Sequence, residues 1–180
     1  MKLVISQLKD GENPLSFDSE KDLEMKSVAR ELGTEGFQIL SPLKFQGILH
    51  KHEPDYYLQG NLDWKVEQEC SRCAETFSSP IHYDFQLALA HSGPHKKAKS
   101  ADLAAEASED LDLVFFEGNE LDLKPLVHEQ FVLSLPFKSL CNETCKGICQ
   151  HCGKNLNRQE CKCVNIPKDN PFSVLKTITL

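Results

Sequence analysis

Hydrophobic and polar residues alternate with a period of two over three stretches of the chain. Leu43, Phe45, Gly47 and Leu49 alternate with Lys44, Gln46, Ile48 and His50. Leu58, Gly60, Leu62, Trp64, Val66, Gln68 and Cys70 alternate with Gln59, Asn61, Asp63, Lys65, Glu67 and Glu69. Ile81, Tyr83, Phe85, Leu87 and Leu89 alternate with His82, Asp84, Gln86, Ala88 and Ala90. Successive side chains of a strand point to opposite faces, so the pattern predicts an antiparallel meander with one dry and one wet face. Shorter strands are expected over Leu3 to Leu8 and Leu111 to Phe116.

Helical signals are fewer. Glu20 to Leu32 is rich in helix formers and is expected to end at Gly33. Leu121 to Leu135 places Leu123, Leu126, Val127, Phe131 and Leu135 on one face. Pro125 fits its first turn, where no N–H is required, and Pro136 stops it. A last helix is expected from Pro171, with Phe172, Leu175 and either Ile178 or Thr179 facing the body. Residues 92–110 carry one large apolar side chain, Leu103, so burial cannot offset their ordering entropy and a mobile loop is expected. Its Lys96, Lys97 and Lys99 read as solvated charge rather than a phosphate site.

At 180 residues the chain has the size of one ordinary domain, long enough to bury a core without help from a metal. The formal charge is −7, divided between +3 on residues 141–180 and −10 on the preceding 140. Such a body repels nucleic acid at long range, which excludes an RNA coat over the whole surface and leaves a local contact through the tail. The apolar run within Met1 to Asp10 is too short for a signal peptide, and no stretch approaches the roughly 20 apolar residues of a membrane span. The expectation is a soluble cytoplasmic protein. In a reducing compartment its eight cysteines are metal ligands more naturally than disulfides.

The cysteines divide into two sets of four. Cys149 and Cys152 have knuckle spacing, Gly153 can adopt the positive φ that follows the second ligand, and Cys161 and Cys163 return as the second half. This is the signature of a zinc ribbon. Cys141 and Cys145 have helical-turn spacing, and their partners are Cys70 and Cys73 at the tip of the hairpin between the second and third alternating stretches. Pairing them makes a clasp across about seventy residues; an idle pair or a redox pair is the alternative. Arg72 favours a lowered thiol pKa, but thioredoxin-type chemistry needs the motif at a helix N-terminus rather than between antiparallel strands.

Catalysis finds no foothold. A hydrolytic zinc site keeps one position open, whereas these sets look closed, and no His-Glu-x-x-His, Gly-x-Ser-x-Gly, P-loop or dinucleotide fingerprint occurs. His151 reads as exposed and His128 as a surface or capping residue. Lys146, Lys154, Arg158 and Lys162 surround the cysteines. They neutralise thiolate charge in the simplest reading and present a small basic face to RNA or a partner in the other. The stretch 141–163 lacks the aromatic residues that single-strand binders generally use.

Glu69-Cys70-Ser71-Arg72-Cys73, Leu121-Asp122-Leu123, Leu133-Ser134-Leu135-Pro136, Leu140-Cys141, Cys145-Lys146-Gly147-Ile148-Cys149, Cys152-Gly153-Lys154-Asn155-Leu156-Asn157 and Cys161-x-Cys163 follow one another in this order. In combination they resemble the YceD family of large-ribosomal-subunit rRNA accumulation proteins. Asn170-Pro171-Phe172-Ser173-Val174-Leu175 is similar to that family's C-terminal motif. The likeness runs over roughly residues 40–180. It implies a bacterial cytoplasmic, non-catalytic factor needed for normal 23S rRNA levels. Some family members lack the later cysteines, which implies that Cys70, Cys73, Cys141 and Cys145 act as one unit and that Cys149 to Cys163 is an addition. His128 and Gln130 stand where the family often has acidic residues, so a contact through an acidic helix face would be weaker or different here.

The expected architecture is α+β: residues 1–140 form an antiparallel, barrel-like sheet with a packing helix, and residues 141–180 a zinc ribbon and C-terminal helix. One or two zinc ions are expected. The expected partner is rRNA or a pre-ribosomal large-subunit particle, with no membrane and no small-molecule substrate. The rival is an adaptor that docks a ribosomal protein or nuclease without touching RNA.

Overall fold

The computed structural model describes residues 1–52, 55–91 and 112–163; the loop expected over 92–110 and the helix expected from Pro171 lie outside them. The chain runs β1 (Lys2–Val4), a 3-10 turn (Ile5–Gln7), β2 (Gly11–Asp18), α1 (Leu23–Thr34), β3 (Gln38–Ile39) and β4 (Lys44–His52). It continues through β5 (Asp55–Glu69), β6 (Thr76–His91), β7 (Asp112–Phe116), β8 (Glu120–Asp122) and α2 (Leu123–Leu133). The main sheet has the order β2-β4-β5-β6-β7, with β3 added to β5 beyond the end of β4.

The period-two pattern sets the register. Phe17, Phe45, Leu62 and Tyr83 form one cross-strand row, and Leu15, Gly47, Gly60 and Phe85 form the next. This puts the apolar positions of all three alternating stretches on one face. Phe45, Leu49, Leu58, Leu62, Trp64, Val66, Leu87 and Leu89 are buried there. The glycines are a space requirement: a Cβ on Gly60 would lie 2.6 Å from the Phe45 ring and 2.9 Å from that of Phe85. Both helices close this face. Met25, Val28 and Leu32 of α1 and Leu123, Val127 and Phe131 of α2 are fully buried, each contributing roughly 1.5–3 kcal/mol. Trp64 meets Phe131 edge-on at 5.5 Å, and its Nε1 donates to Ser134 Oγ at 3.1 Å.

The sheet differs from the barrel the sequence suggests. Among the described residues its strand path is open, from β2 at one edge to β7 at the other. Pro14 in β2 has no N–H for a further ladder, which suits an edge strand. Nor is the sheet wholly antiparallel: β7 runs parallel to β6, a pairing that no tight hairpin can join. Leu3 to Leu8 is a strand only at β1, which pairs with β8, and then becomes a 3-10 turn. The first helix runs past Gly33 to Thr34, and the positive φ falls at Gly36 instead.

The β5–β6 hairpin positions the site. Its ladder is unbroken from Asp55↔Ala90 to Glu69↔Thr76, and the 15 residues of β5 span about 50 Å at the usual rise per residue. The tip therefore projects beyond the main core. There a second, smaller core forms from Cys70, Cys73 and Cys145, with Phe77 and Leu140 packed against it.

Candidate metal centre

At the hairpin tip Cys70 N–H donates to Glu75 O at 2.9 Å and Ala74 N–H to Cys70 O at 2.9 Å. Ala74 takes φ 55° to close the turn, and both cysteine side chains point into the small core. The opposing pair arrives from the segment after α2. Ser71 N–H donates to Ser139 O at 2.9 Å. Arg72 Nη1 donates to Glu143 O at 3.1 Å and Cys145 O at 2.9 Å. Arg72 thus fastens the Cys141–Cys145 turn to the hairpin through backbone carbonyls, and the tip is no helix N-terminus of the kind redox chemistry uses.

The four sulfurs of Cys70, Cys73, Cys141 and Cys145 lie within 4.8 Å of one another. Cys70 and Cys145 are 3.9 Å apart, Cys73 and Cys141 3.8 Å. Tetrahedral zinc with Zn–S near 2.3 Å requires about 3.8 Å between sulfurs. Three of these thiols are almost sealed from solvent, Cys70 at 1%, Cys73 at 4% and Cys145 at 4%.

Cys149, Cys152, Cys161 and Cys163 also gather within 4.8 Å. Cys149 N–H donates to Lys154 O at 2.8 Å and Gly153 N–H to Cys149 O at 2.9 Å, the tight knuckle expected, with Gly153 at φ +70°. Cys161 is 3.3 Å from Cys149 and 3.5 Å from Cys152, tighter than in the first cluster. His151 and Cys163 aim their N–H groups at Cys149 and Cys161 sulfur at 3.4 and 3.3 Å. Cys152 and Cys163 are exposed. All eight thiols are free of disulfides, and both donor sets suit a thiophilic ion such as zinc.

Each cluster lowers some of its thiols and raises others; in the first, Cys145 is also pulled down, chiefly by the Asn157 side-chain hydrogen bond. The N–H of Cys141 holds the Cys70 thiol down at about 6, and the N–H groups of Cys152 and His151 do the same for Cys149, also about 6. Burial pushes Cys141 up to about 12, and its neighbouring thiols add to the rise. Cys163 is pushed up to about 12 by Cys161 and Cys152. A divalent ion removes that repulsion, which is the electrostatic reason such a cluster takes one up.

The four cations have different fates. Lys146, Lys154 and Lys162 are exposed. Arg158 pairs through Nε with Glu75 Oε1 at 2.7 Å, tying the second cluster's loop to the hairpin. His151 is exposed, and His128 faces Glu35, the residue that caps the C-terminus of α1, at 3.2 Å, away from both clusters. Gln130, which stands where the resembled family often has acidic residues, is buried in the core-facing side of α2. Two further roles escaped the sequence reading. Phe137 is fully exposed between α2 and the hairpin tip, beside exposed Lys138; its signal is a large aromatic directly after Pro136. Asn157 donates from Nδ2 to Cys145 Sγ at 3.2 Å, a contact that spacing alone does not reveal.

The family model described as "Large ribosomal RNA subunit accumulation protein YceD" matches residues 58–179. Among curated proteins, the chain is 28% identical over 137 residues to "Large ribosomal RNA subunit accumulation protein YCED homolog 1, chloroplastic" of Arabidopsis thaliana, covering 66% of this chain and 42% of that protein. The Zea mays protein of the same name is 27% identical over 126 residues, covering 59% and 43%. The chain thus spans less than half the length of these relatives. No solved structure matches it. Since the matched span takes in both cysteine clusters, the hairpin that carries the first pair and α2, more than half of the sequence, this chain belongs to the YceD family.

Proposed function

We propose that this protein is a non-catalytic ribosome-biogenesis factor that supports 23S rRNA synthesis, processing or accumulation by binding precursor rRNA or an early large-subunit particle. The observation that carries the reading is the pair of four-cysteine clusters gathered at one end of the molecule, in a family whose name refers to large-subunit rRNA. Cys70, Cys73, Cys141 and Cys145 would hold one zinc and Cys149, Cys152, Cys161 and Cys163 a second, as a zinc ribbon. With four thiolates each, the ions would supply cross-links and leave no position for a substrate water. The chain's residues do the recognition: Lys146, Lys154 and Lys162 face solvent beside the clusters, and Phe137 adds the aromatic surface that 141–163 lacks. A setting in the bacterial cytoplasm agrees with eight unpaired thiols. Among the described residues no helix is long and apolar enough to cross a membrane.

A second reading, an adaptor that grips a protein of the particle without touching RNA, draws on charge. Each filled four-thiolate site carries −2, and Arg158 is spent on Glu75, so little net positive charge remains at this end. The two readings separate in a salt titration of binding to 23S rRNA fragments. Direct contact predicts a steep loss of affinity with salt, and Lys146→Ala with Lys154→Ala should flatten the log–log slope by about 1.4–1.8. A flat response, or no binding, would leave the adaptor.

A further inference from the structure

We propose that Asn157 couples the two cysteine clusters, so that a metal in one raises the affinity of the other. The inference rests on the reading of both clusters as metal sites and goes beyond it by joining them.

Asn157 lies between Cys152 and Cys161, within the loop that the second cluster closes. Its side chain nevertheless serves the first. Nδ2 donates to Cys145 Sγ at 3.2 Å, while Oδ1 accepts from Lys146 N–H at 2.8 Å. One amide therefore fixes both the sulfur of a first-cluster cysteine and the backbone directly after it. The N–H···S bond favours the thiolate that a metal requires.

The loop is held in place from several directions. Asn157 N–H donates to Asn155 Oδ1 at 2.9 Å, Leu156 N–H to Gly147 O at 2.8 Å, and Ile148 pairs with Asn155 in an isolated antiparallel bridge. Ile148 N–H in turn donates to Arg72 O at 3.1 Å, inside the hairpin tip. Gly147 sits so close that a Cβ would lie 2.9 Å from Arg72 O. The two clusters share this one framework. Convergence of Cys149 and Cys152 with Cys161 and Cys163 closes the loop that presents Asn157. With that cluster empty, loop closure must be achieved by hydrogen bonds alone, and the amide is delivered to Cys145 less often. By linkage, a metal on Cys145 must hold Asn157 and favour the closed loop in the same proportion.

The test is competition for zinc against a chromophoric chelator, using the full chain. Wild type should bind two ions. Cys161→Ser with Cys163→Ser, which empties the second cluster, should weaken the first by roughly 5–150-fold, the usual range of coupling between sites. Asn157→Leu keeps all eight ligands and the approximate side-chain volume. It should still bind two ions, but with the first cluster weakened roughly 10–100-fold and no longer sensitive to the state of the second. With cobalt(II) as the probe, loss of the N–H···S bond should move the sulfur-to-cobalt charge-transfer band to longer wavelength. A merely structural role would not do this. The same first-cluster affinity in wild type, the double serine variant and Asn157→Leu, with wild type still binding two ions, would overturn the coupling alone. Fewer than two ions in wild type would overturn the two-site reading and the coupling with it.

Discussion

The cluster at the hairpin tip and the one beyond it contain the same four donors in opposite surroundings. Cys70, Cys73 and Cys145 are packed under Phe77 and Leu140, whereas Cys152 and Cys163 face solvent with no apolar cluster of their own among the described residues. The first joins Cys73 to Cys141, 68 positions apart, and the second joins Cys149 to Cys161, 12 apart. Burial favours the first and loop-closure entropy the second, although only by about 1.5 kcal/mol, since closure cost grows with the logarithm of length. The difference teaches that one donor set can serve as a staple for a loop in one place and as the centre of a miniature core in another.

The largest break in this comparison should come from Cys70→Ser. Removing one ligand should lose one of two metal ions and release residues 139–148 from the tip. Apparent binding energy for a structural zinc is roughly 10–16 kcal/mol, so amide exchange at Ser71 and Ile148 should rise by orders of magnitude. Cys161→Ser should leave Ser71 protected. Equal deprotection in both variants would erase the distinction between the clusters.

Glycine substitutions come next. Gly147 stands at φ +74° with Arg72 O in the way of a Cβ, whereas Gly153 stands at φ +70° with open space around it. Gly153→Ala should cost about 1–2 kcal/mol for the left-handed backbone alone. Gly147→Ala should cost more, because the hairpin tip must also give way. Chemical denaturation measures both, and similar losses would mean that the joint with Arg72 has slack.

Thiol chemistry in chelated protein gives a smaller and pH-dependent contrast. Cys70 and Cys149 both have pKa values lowered to about 6, so both are thiolates at neutral pH and become protonated below 6. Cys149 should be alkylated readily at pH 7, with a rate that falls about tenfold per unit once the pH is below 6. Cys70 has the same charge and 1% exposure, so mass spectrometry should find it alkylated later than Cys149, only as residues 139–148 leave the tip. A small effect should follow Arg158→Gln, which removes an exposed pair with Glu75 and should cost about 0.2–1 kcal/mol. The smallest should be Lys154→Gln, which breaks no ion pair among the described residues and should fall within about 0.5 kcal/mol of zero.

The sheet was legible because its dry face is continuous: Phe45, Leu62 and Tyr83 announce a shared face before any register is known. The edge at β2 was not, since Asn13 and Pro14 break the usual strand composition in a place where only one ladder is needed. The parallel direction of β7 lay hidden because its five residues read alike either way. At the candidate site, spacing brought the cysteine pairs into view, but the roles of Arg72, Arg158 and Asn157 depend on where two distant segments meet. Side-chain identity left all four cations with the same two readings, neutralising thiolate charge or facing RNA or a partner; the proximity of Glu75 distinguishes Arg158 from the lysines.

A closed first cluster would turn everything from Cys73 to Cys141 into a ring. Rings of this size are forgiving. Doubling the circumference would raise the closure cost by only about 0.6 kcal/mol, so the stretch between β6 and β7 could lengthen or shorten, or host an inserted module, while the four sulfurs keep their places. The hairpin and the cysteine turn form a fixed buckle, and the strap between them is free to be tailored.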